Sequence, residues 1–134
     1  MLKIRVLAVG KIKERYIQEG VQDYQKRLKP FLSVEIIELK SVESVERYAG
    51  SNTYLLDAAG KESASEEFAQ LLKKQDGELQ FIIGDAEGFS PELKKKFKLM
   101  SLSKMTFPHE MCQLFLVEQI YRACMINNNR QYHK

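Results

Sequence analysis

The chain has 134 residues, of which 44% are hydrophobic and 29% charged, with a formal net charge of +3. That is enough chain for one hydrophobic core, and the small charge and evenly spread apolar residues exclude a disordered protein. No apolar run approaches the ~20 residues of a membrane helix, and charges interrupt the opening Met1–Gly10, so neither a membrane span nor a signal peptide is expected and the cytoplasm is the expected compartment.

Lys3 to Val9 alternates apolar and polar residues and predicts a first strand, ended by Gly10. A helix follows from about Lys13 to Lys29. Ile17, Val21, Tyr24 and Leu28 recur at helical spacing on one stripe, and Pro30 stops it. Val34–Leu39 reads as a second strand, Glu43–Tyr48 as at most a short helix, and Thr53–Leu56 as a third strand closed by Asp57-Ala58-Ala59-Gly60. Ser63 with Glu66 has the spacing of a capping box and predicts a helix to about Gln75. Leu79–Ile83 is a strand buried on both faces, running into the loop Gly84–Gly88. Pro91 opens a short helix to about Lys96. Lys98–Leu102 is a fifth strand, Ser103–Pro108 a loop, and His109 to about Ile126 the last helix.

Strands alternating with helices predict a single α/β domain over 1–134, built on a mostly parallel sheet with helices on both faces. Ligands of such sheets bind beyond the carboxyl ends of the strands. The loops beginning at Leu56, Gly84 and Leu102 are therefore expected to share one pocket. The last helix is apolar around more than one face, through Met111, Leu114, Phe115, Leu116, Val117, Ile120, Tyr121, Cys124 and Met125. Something must cover both sides, and a twofold dimer with this helix in the interface is the expectation. Glu118 and Arg122 stand four apart, the spacing of a helix-stabilising ion pair.

Charge is unevenly distributed: residues 94–134 carry eight basic and two acidic side chains. A basic end suits docking on nucleic acid, and Lys94–Lys98 equally suits the wet face of a helix. No phosphate loop, nucleophile elbow or cluster of metal-ligating residues is present, so no metal is expected. Cys112 and Cys124, twelve apart in a helical pattern, read as two buried thiols. The glycines of Gly84–Gly88 follow a buried strand and would let a ligand approach the backbone. Of the two histidines, His109 at a helix start suits a structural role. His133 sits in the tail Tyr132-His133-Lys134, which offers a stacking ring, a titratable group and a phosphate partner, and equally suits a disordered end.

Three segments carry a resemblance: Ser101-Leu102-Ser103-Lys104-Met105-Thr106-Phe107-Pro108-His109, Glu118-Gln119-Ile120-Tyr121-Arg122-Ala123 and the terminal Tyr132-His133-Lys134. With Leu55-Leu56-Asp57, Gly60-Lys61 and Ile82-Ile83-Gly84, they closely resemble the bacterial 23S ribosomal RNA (pseudouridine-N3)-methyltransferases of the SPOUT superfamily. The resemblance implies a homodimer whose C-terminal part forms a deep trefoil knot, a rare chain path that periodicity cannot suggest. It implies S-adenosylmethionine as cofactor, contacted by Leu56, Gly84, Leu102, Ser103, Lys104, Met105, Thr106 and Phe107. The implied acceptor is N3 of a pseudouridine in large-subunit RNA of the assembled ribosome. For catalysis His133 is the candidate to assist deprotonation of N3, with Tyr132 positioning the base and Arg122 or Arg130 contacting phosphate. Packing of Tyr132 and His133 over the partner's pocket, without proton transfer, is the competing role.

Three features depart from the family pattern: the segment before the third strand is short, Asp85 replaces a second glycine, and Gln113 replaces an arginine on the last helix. They motivate an alternative, a knotted protein that binds the ribosome or RNA with little catalysis. A small dimer binding another adenine nucleotide is a third reading.

Overall fold

Along Lys3–Val9 the side chains of Ile4, Val6 and Ala8 point to one face and those of Leu7 and Val9 to the other, all five buried. A strand of this pattern needs cover on both sides. A computed structural model, which describes residues 1–48, 50 and 52–134, supplies it. This strand, β1, belongs with β2 (Ser33–Leu39), β3 (Thr53–Glu62), β4 (Glu78–Ile83) and β5 (Lys98–Ser101) to one five-stranded sheet of order β2-β1-β4-β3-β5. Every pairing is parallel.

Helices α1 (Arg15–Leu28), α2 (Ser65–Lys74) and α4 (His109–Asn127) lie together over one face, burying Leu28, Phe68, Leu72, Leu116 and Ile120 against Ile4, Val6, Leu79 and Phe81. A 3-10 turn over Val42–Tyr48 and the short α3 (Pro91–Lys96) cover the other, packing Val45 and Leu93 on Leu7, Leu55 and Ile82. The expected α/β architecture with helices on both faces is therefore observed. The helix expected between the second and third strands is a single 3-10 segment.

Two elements differ from their expected bounds. The α2 start is shifted by one residue from the Ser63–Glu66 box: Ala64 is the N-cap, and the Glu67 carboxylate accepts its N–H at 3.0 Å. Ser65 and Glu66 are instead engaged by α4 and the C-terminal tail. β3 does not end at Leu56 but continues to Glu62. Met100 of β5 pairs with both Leu56 and Lys61, and the intervening residues bulge so that Gly60 lies against the β5 backbone. A Cβ at Gly60 would sit 2.6 Å from the Met100 nitrogen, so only glycine permits this approach.

The apolar surface of α4 is covered in part within the subunit, because the helix is wedged between α1 and α2 above the sheet: Val117 meets Ile17 and Val21, and Leu116, Ile120 and Cys124 join the main core, while Met111, Leu114, Phe115 and Tyr121 stay partly exposed. Gly20 allows α1 to approach closely, since a Cβ there would reach 2.9 Å from the Leu114 side chain. Apolarity on both sides of α4 is thus accounted for in part by its own neighbours.

Candidate active site

In the sheet order, β4, β3 and β5 are adjacent and parallel, which brings the carboxyl ends of β4 and β5 beside the bulge of β3. That bulge and the segments following β4 and β5 border a cleft of about 640 Å³ lined by Leu56, Asp57, Ala58, Gly84, Asp85, Glu87, Thr106, Phe107, His109 and Cys112, among others. A side pocket of about 130 Å³ shares Leu56, Asp57, Thr106, Phe107 and Cys112 and adds Leu102, Ser103 and Met105. Of the eight cofactor residues expected from the sequence, seven line the cleft or the side pocket that shares its walls. Lys104 does not: its side chain is 87% exposed and points to Glu62 at 3.8 Å.

The walls are mainly apolar, and the 103–107 loop is held by its own hydrogen bonds. The Ser101 hydroxyl donates to the Ser103 carbonyl at 2.8 Å, and the Ser103 hydroxyl accepts the Met105 N–H at 3.0 Å. Phe107 is steadied by an edge-on contact with Phe115, ring centroids 5.0 Å apart. Gly84 borders the cleft and also admits a core aromatic: the Phe89 ring lies 3.1 Å from where a Cβ would stand.

The charged groups lining the cleft are mostly carboxylates. Asp57, unanticipated by sequence reasoning beyond its place after Leu56, is nearly buried; it accepts the Ala59 N–H at 2.9 Å and pairs with Lys94 at 3.2 Å. Asp85 turns its carboxylate back on the Glu87 N–H at 3.0 Å, closing the glycine loop as a local turn. Cys112 also lines the cleft, donating weakly to the Phe107 carbonyl at 3.9 Å, and burial pushes its thiol pKa up. Nothing in its helical spacing marked it as a wall residue.

Across the Ser101–Ser103 segment and Phe107 lies a second cavity, of about 300 Å³, bounded by Ser65, Phe68, Phe115, Glu118 and Gln119. Its back wall joins the C-terminal tail. Glu118 accepts two bonds from Arg122, at 2.7 and 3.4 Å, and the Tyr132 hydroxyl at 2.8 Å. The Tyr132 hydroxyl also meets that of Tyr24 at 3.1 Å, its ring stands edge-on to Tyr121, and Arg122 lies over it at 4.9 Å. Burial, then these hydrogen bonds, push the Tyr132 phenol pKa well above its ordinary value, so the group is a neutral donor. Arg122 contacts Nδ1 of His133 at 3.1 Å, and the Glu66 carboxylate contacts Nε2 at 3.1 Å. Because guanidinium can only donate, Nδ1 is the acceptor and Nε2 carries the proton.

Thus Tyr132, His133 and Arg122 form one ordered cluster, and the tail is packed instead of free. Within the subunit these three side chains do not line the cleft or either adjoining cavity; Glu118 connects them to it. Gln113, where the resemblance implies an arginine, is buried, 5% exposed, at the edge of a groove between α1 and the sheet.

A family model described as predicted SPOUT methyltransferase matches residues 2–133. The chain is 41% identical to the ribosomal RNA large subunit methyltransferase H of Coprothermobacter proteolyticus, across 99% of this chain and all of that protein. It is 42% identical to the protein of that name from Protochlamydia amoebophila, with both chains fully covered. Among solved structures, TrmJ from Z. mobilis superposes with a TM-score of 0.59 at 8% identity, over 89% of this chain and 69% of that one. A probable methylase family protein from Haemophilus influenzae gives 0.56 at 12% identity, over 94% and 66%. These two likenesses concern the fold alone.

Proposed function

The chain belongs to the SPOUT methyltransferase family, and from that premise we propose that it methylates large-subunit ribosomal RNA, using S-adenosylmethionine, at N3 of a pseudouridine in the assembled ribosome. The observation that carries this reading is the convergence of Leu56, Gly84, Leu102, Ser103, Met105, Thr106 and Phe107 on the cleft and its side pocket. Relatives named ribosomal RNA large subunit methyltransferase H match the chain from end to end.

The residues present fit the cofactor's chemistry. Leu56, Leu102, Met105 and Phe107 provide apolar walls for an adenine ring, and the loop backbone offers groups for its polar edge. Asp57, Asp85 and Glu87 border the cleft, while no lysine or arginine lines it among the described residues, which favours a cationic ligand over a phosphate-bearing one. S-adenosylmethionine, when bound, supplies a methyl group made electrophilic by its sulfonium.

For the acceptor, N3 becomes nucleophilic as its proton leaves. His133 is the titratable group of the tail. In the subunit its Nδ1 lone pair is held by Arg122, so service as a base requires that contact to open. Tyr132 keeps its proton and can donate a hydrogen bond to the base, and Arg122 carries a fixed positive charge for phosphate. A homodimer, in which the tail of one subunit lies over the other's cleft, would bring these groups to the methyl donor. The competing reading of a ribosome-binding protein with little catalysis gains no support from Gln113, which is buried.

The test is nucleoside mass spectrometry of ribosomal RNA from cells with and without the gene. One methylated pseudouridine should disappear on deletion and return with the wild-type gene. An unchanged modification profile would overturn the activity, and ribosome association without methyl incorporation would select the binding-only reading.

A further inference from the structure

The cavity beyond the Ser101–Ser103 segment adds Ser65, Phe68, Phe115, Glu118 and Gln119, none of them assigned to the cofactor, to walls it shares with the side pocket of the cleft. Gln119 stands at its wall with both ends of its amide oriented. The Ser65 hydroxyl donates to Oε1 at 2.8 Å, and Nε2 donates to the Glu118 carboxylate at 3.2 Å. Those two bonds fix which end is oxygen and which nitrogen. They leave one N–H and one oxygen lone pair uncommitted. Phe68, Phe107 and Phe115 line the same cavity and make its walls apolar. At about 300 Å³ the space is at the small end of ligand pockets and has room for a single pyrimidine base. It shares Ser101, Leu102, Ser103 and Phe107 with the pocket beside the cleft, so an occupant would lie next to the donor site.

We infer that this cavity is the acceptor-base site and that Gln119 reads the edge that distinguishes pseudouridine from uridine. The inference rests on the proposed methyltransferase reading. Pseudouridine is joined to its ribose through C5, which leaves N1–H free beside the C2 carbonyl. A side-chain amide is complementary to that pair: Oε1 accepts N1–H and Nε2 donates to the C2 oxygen. Pairing there leaves N3 unblocked. Uridine carries its ribose on N1 and has no proton to offer at this edge, so the amide oxygen would be left unpaired. Ser65 is a positioning residue in this scheme, since its hydroxyl holds the amide in register.

The test compares wild-type protein with Gln119→Met, which keeps length and bulk and removes both hydrogen-bonding functions, and Ser65→Ala. Substrates are ribosomes with pseudouridine at the target and ribosomes, from cells lacking the corresponding pseudouridine synthase, with uridine there. Methyl incorporation is measured on both, and S-adenosylmethionine affinity by calorimetry on each protein. The wild type should prefer pseudouridine ribosomes. Gln119→Met should lower that rate roughly 10- to 100-fold, the loss expected for a bidentate contact to a base edge. Its rate on uridine ribosomes should fall far less, so that the preference collapses while cofactor affinity is retained. Retention of the wild-type preference, or an equal loss on both substrates, would overturn the inference. If Gln119→Met fails to bind cofactor, Ser65→Ala decides: a weakened preference supports the assignment and an unchanged one overturns it. A wild-type protein that methylates neither ribosome overturns the parent reading, and this one with it.

Discussion

The carboxylate of Glu118, in the middle of the last helix, accepts the hydroxyl of Tyr132, fourteen residues later, at 2.8 Å. This bond turns the end of the chain back onto the helix, and Arg122 and His133 complete the cluster. Because Glu118 also borders the cavity next to the cleft, tail order and site geometry are mechanically joined.

Tyr132→Phe removes a hydrogen bond to a charged acceptor, worth about 1.5–3 kcal/mol when well formed. Its effect on pH dependence has a definite sign. The folded phenol has a pKa above the unfolded one, near 10, so its contribution is complete below that pH and is lost as pH rises above it. Urea unfolding from pH 9 to 11 should therefore show a steeper alkaline loss of stability in the wild type than in Tyr132→Phe.

Gly60→Ala should be severely destabilising, by about 3 kcal/mol, the upper range for forcing an atom into a packed site. The added carbon meets backbone at Met100 and Leu99, which cannot rotate away. Thermal unfolding should register the loss. A neutral Gly60→Ala would show that β3 does not approach the β5 backbone so closely.

Phe107→Ala should weaken S-adenosylmethionine binding by about tenfold or more, because Phe107 borders the cleft and both adjoining cavities. Met105→Ala should have a much smaller effect, as Met105 is 75% exposed. Calorimetric titration of the two variants measures the difference.

Thiol labelling separates the two cysteines. Burial pushes Cys124 up to about 11 and raises Cys112 as well, so both should react slowly near pH 8. Cys112, only partly buried and lining the cleft, should label first and be protected by S-adenosylmethionine. Mass spectrometry of alkylated peptides with and without the cofactor reads both rates.

Glu110→Ala should cost roughly 1 kcal/mol, as loss of a helix cap does. Its carboxylate accepts the Lys13 and Glu14 N–H groups at 2.9 and 3.1 Å, and so ties the start of α4 to the start of α1. Hydrogen exchange at the α1 N-terminus should accelerate in the variant.

Local pattern specified much of the molecule. The alternation of Lys3–Val9, the apolar run Leu79–Ile83 and the helical stripe of Ile17, Val21 and Leu28 each report a side chain's immediate need for burial, and each appears as an element close to its expected bounds. The convergence of Leu56, Gly84 and Leu102 was legible for the same reason, since the apolar runs of parallel strands stop on a common side.

Relationships between distant segments were settled only by tertiary structure. Sequence periodicity says that α4 needs cover but cannot say that α1 and α2 provide it. Ser63 and Glu66 have the right spacing for a cap, yet His133 holds Glu66, and the cap forms one residue later. Gly84 borders the cleft as its place after a buried strand suggests, but its packing on the Phe89 ring is a contact its spacing could not announce. Spacing along a chain encodes which groups must be buried or paired; which partners they take depends on contacts that close only when segments far apart in sequence pack together.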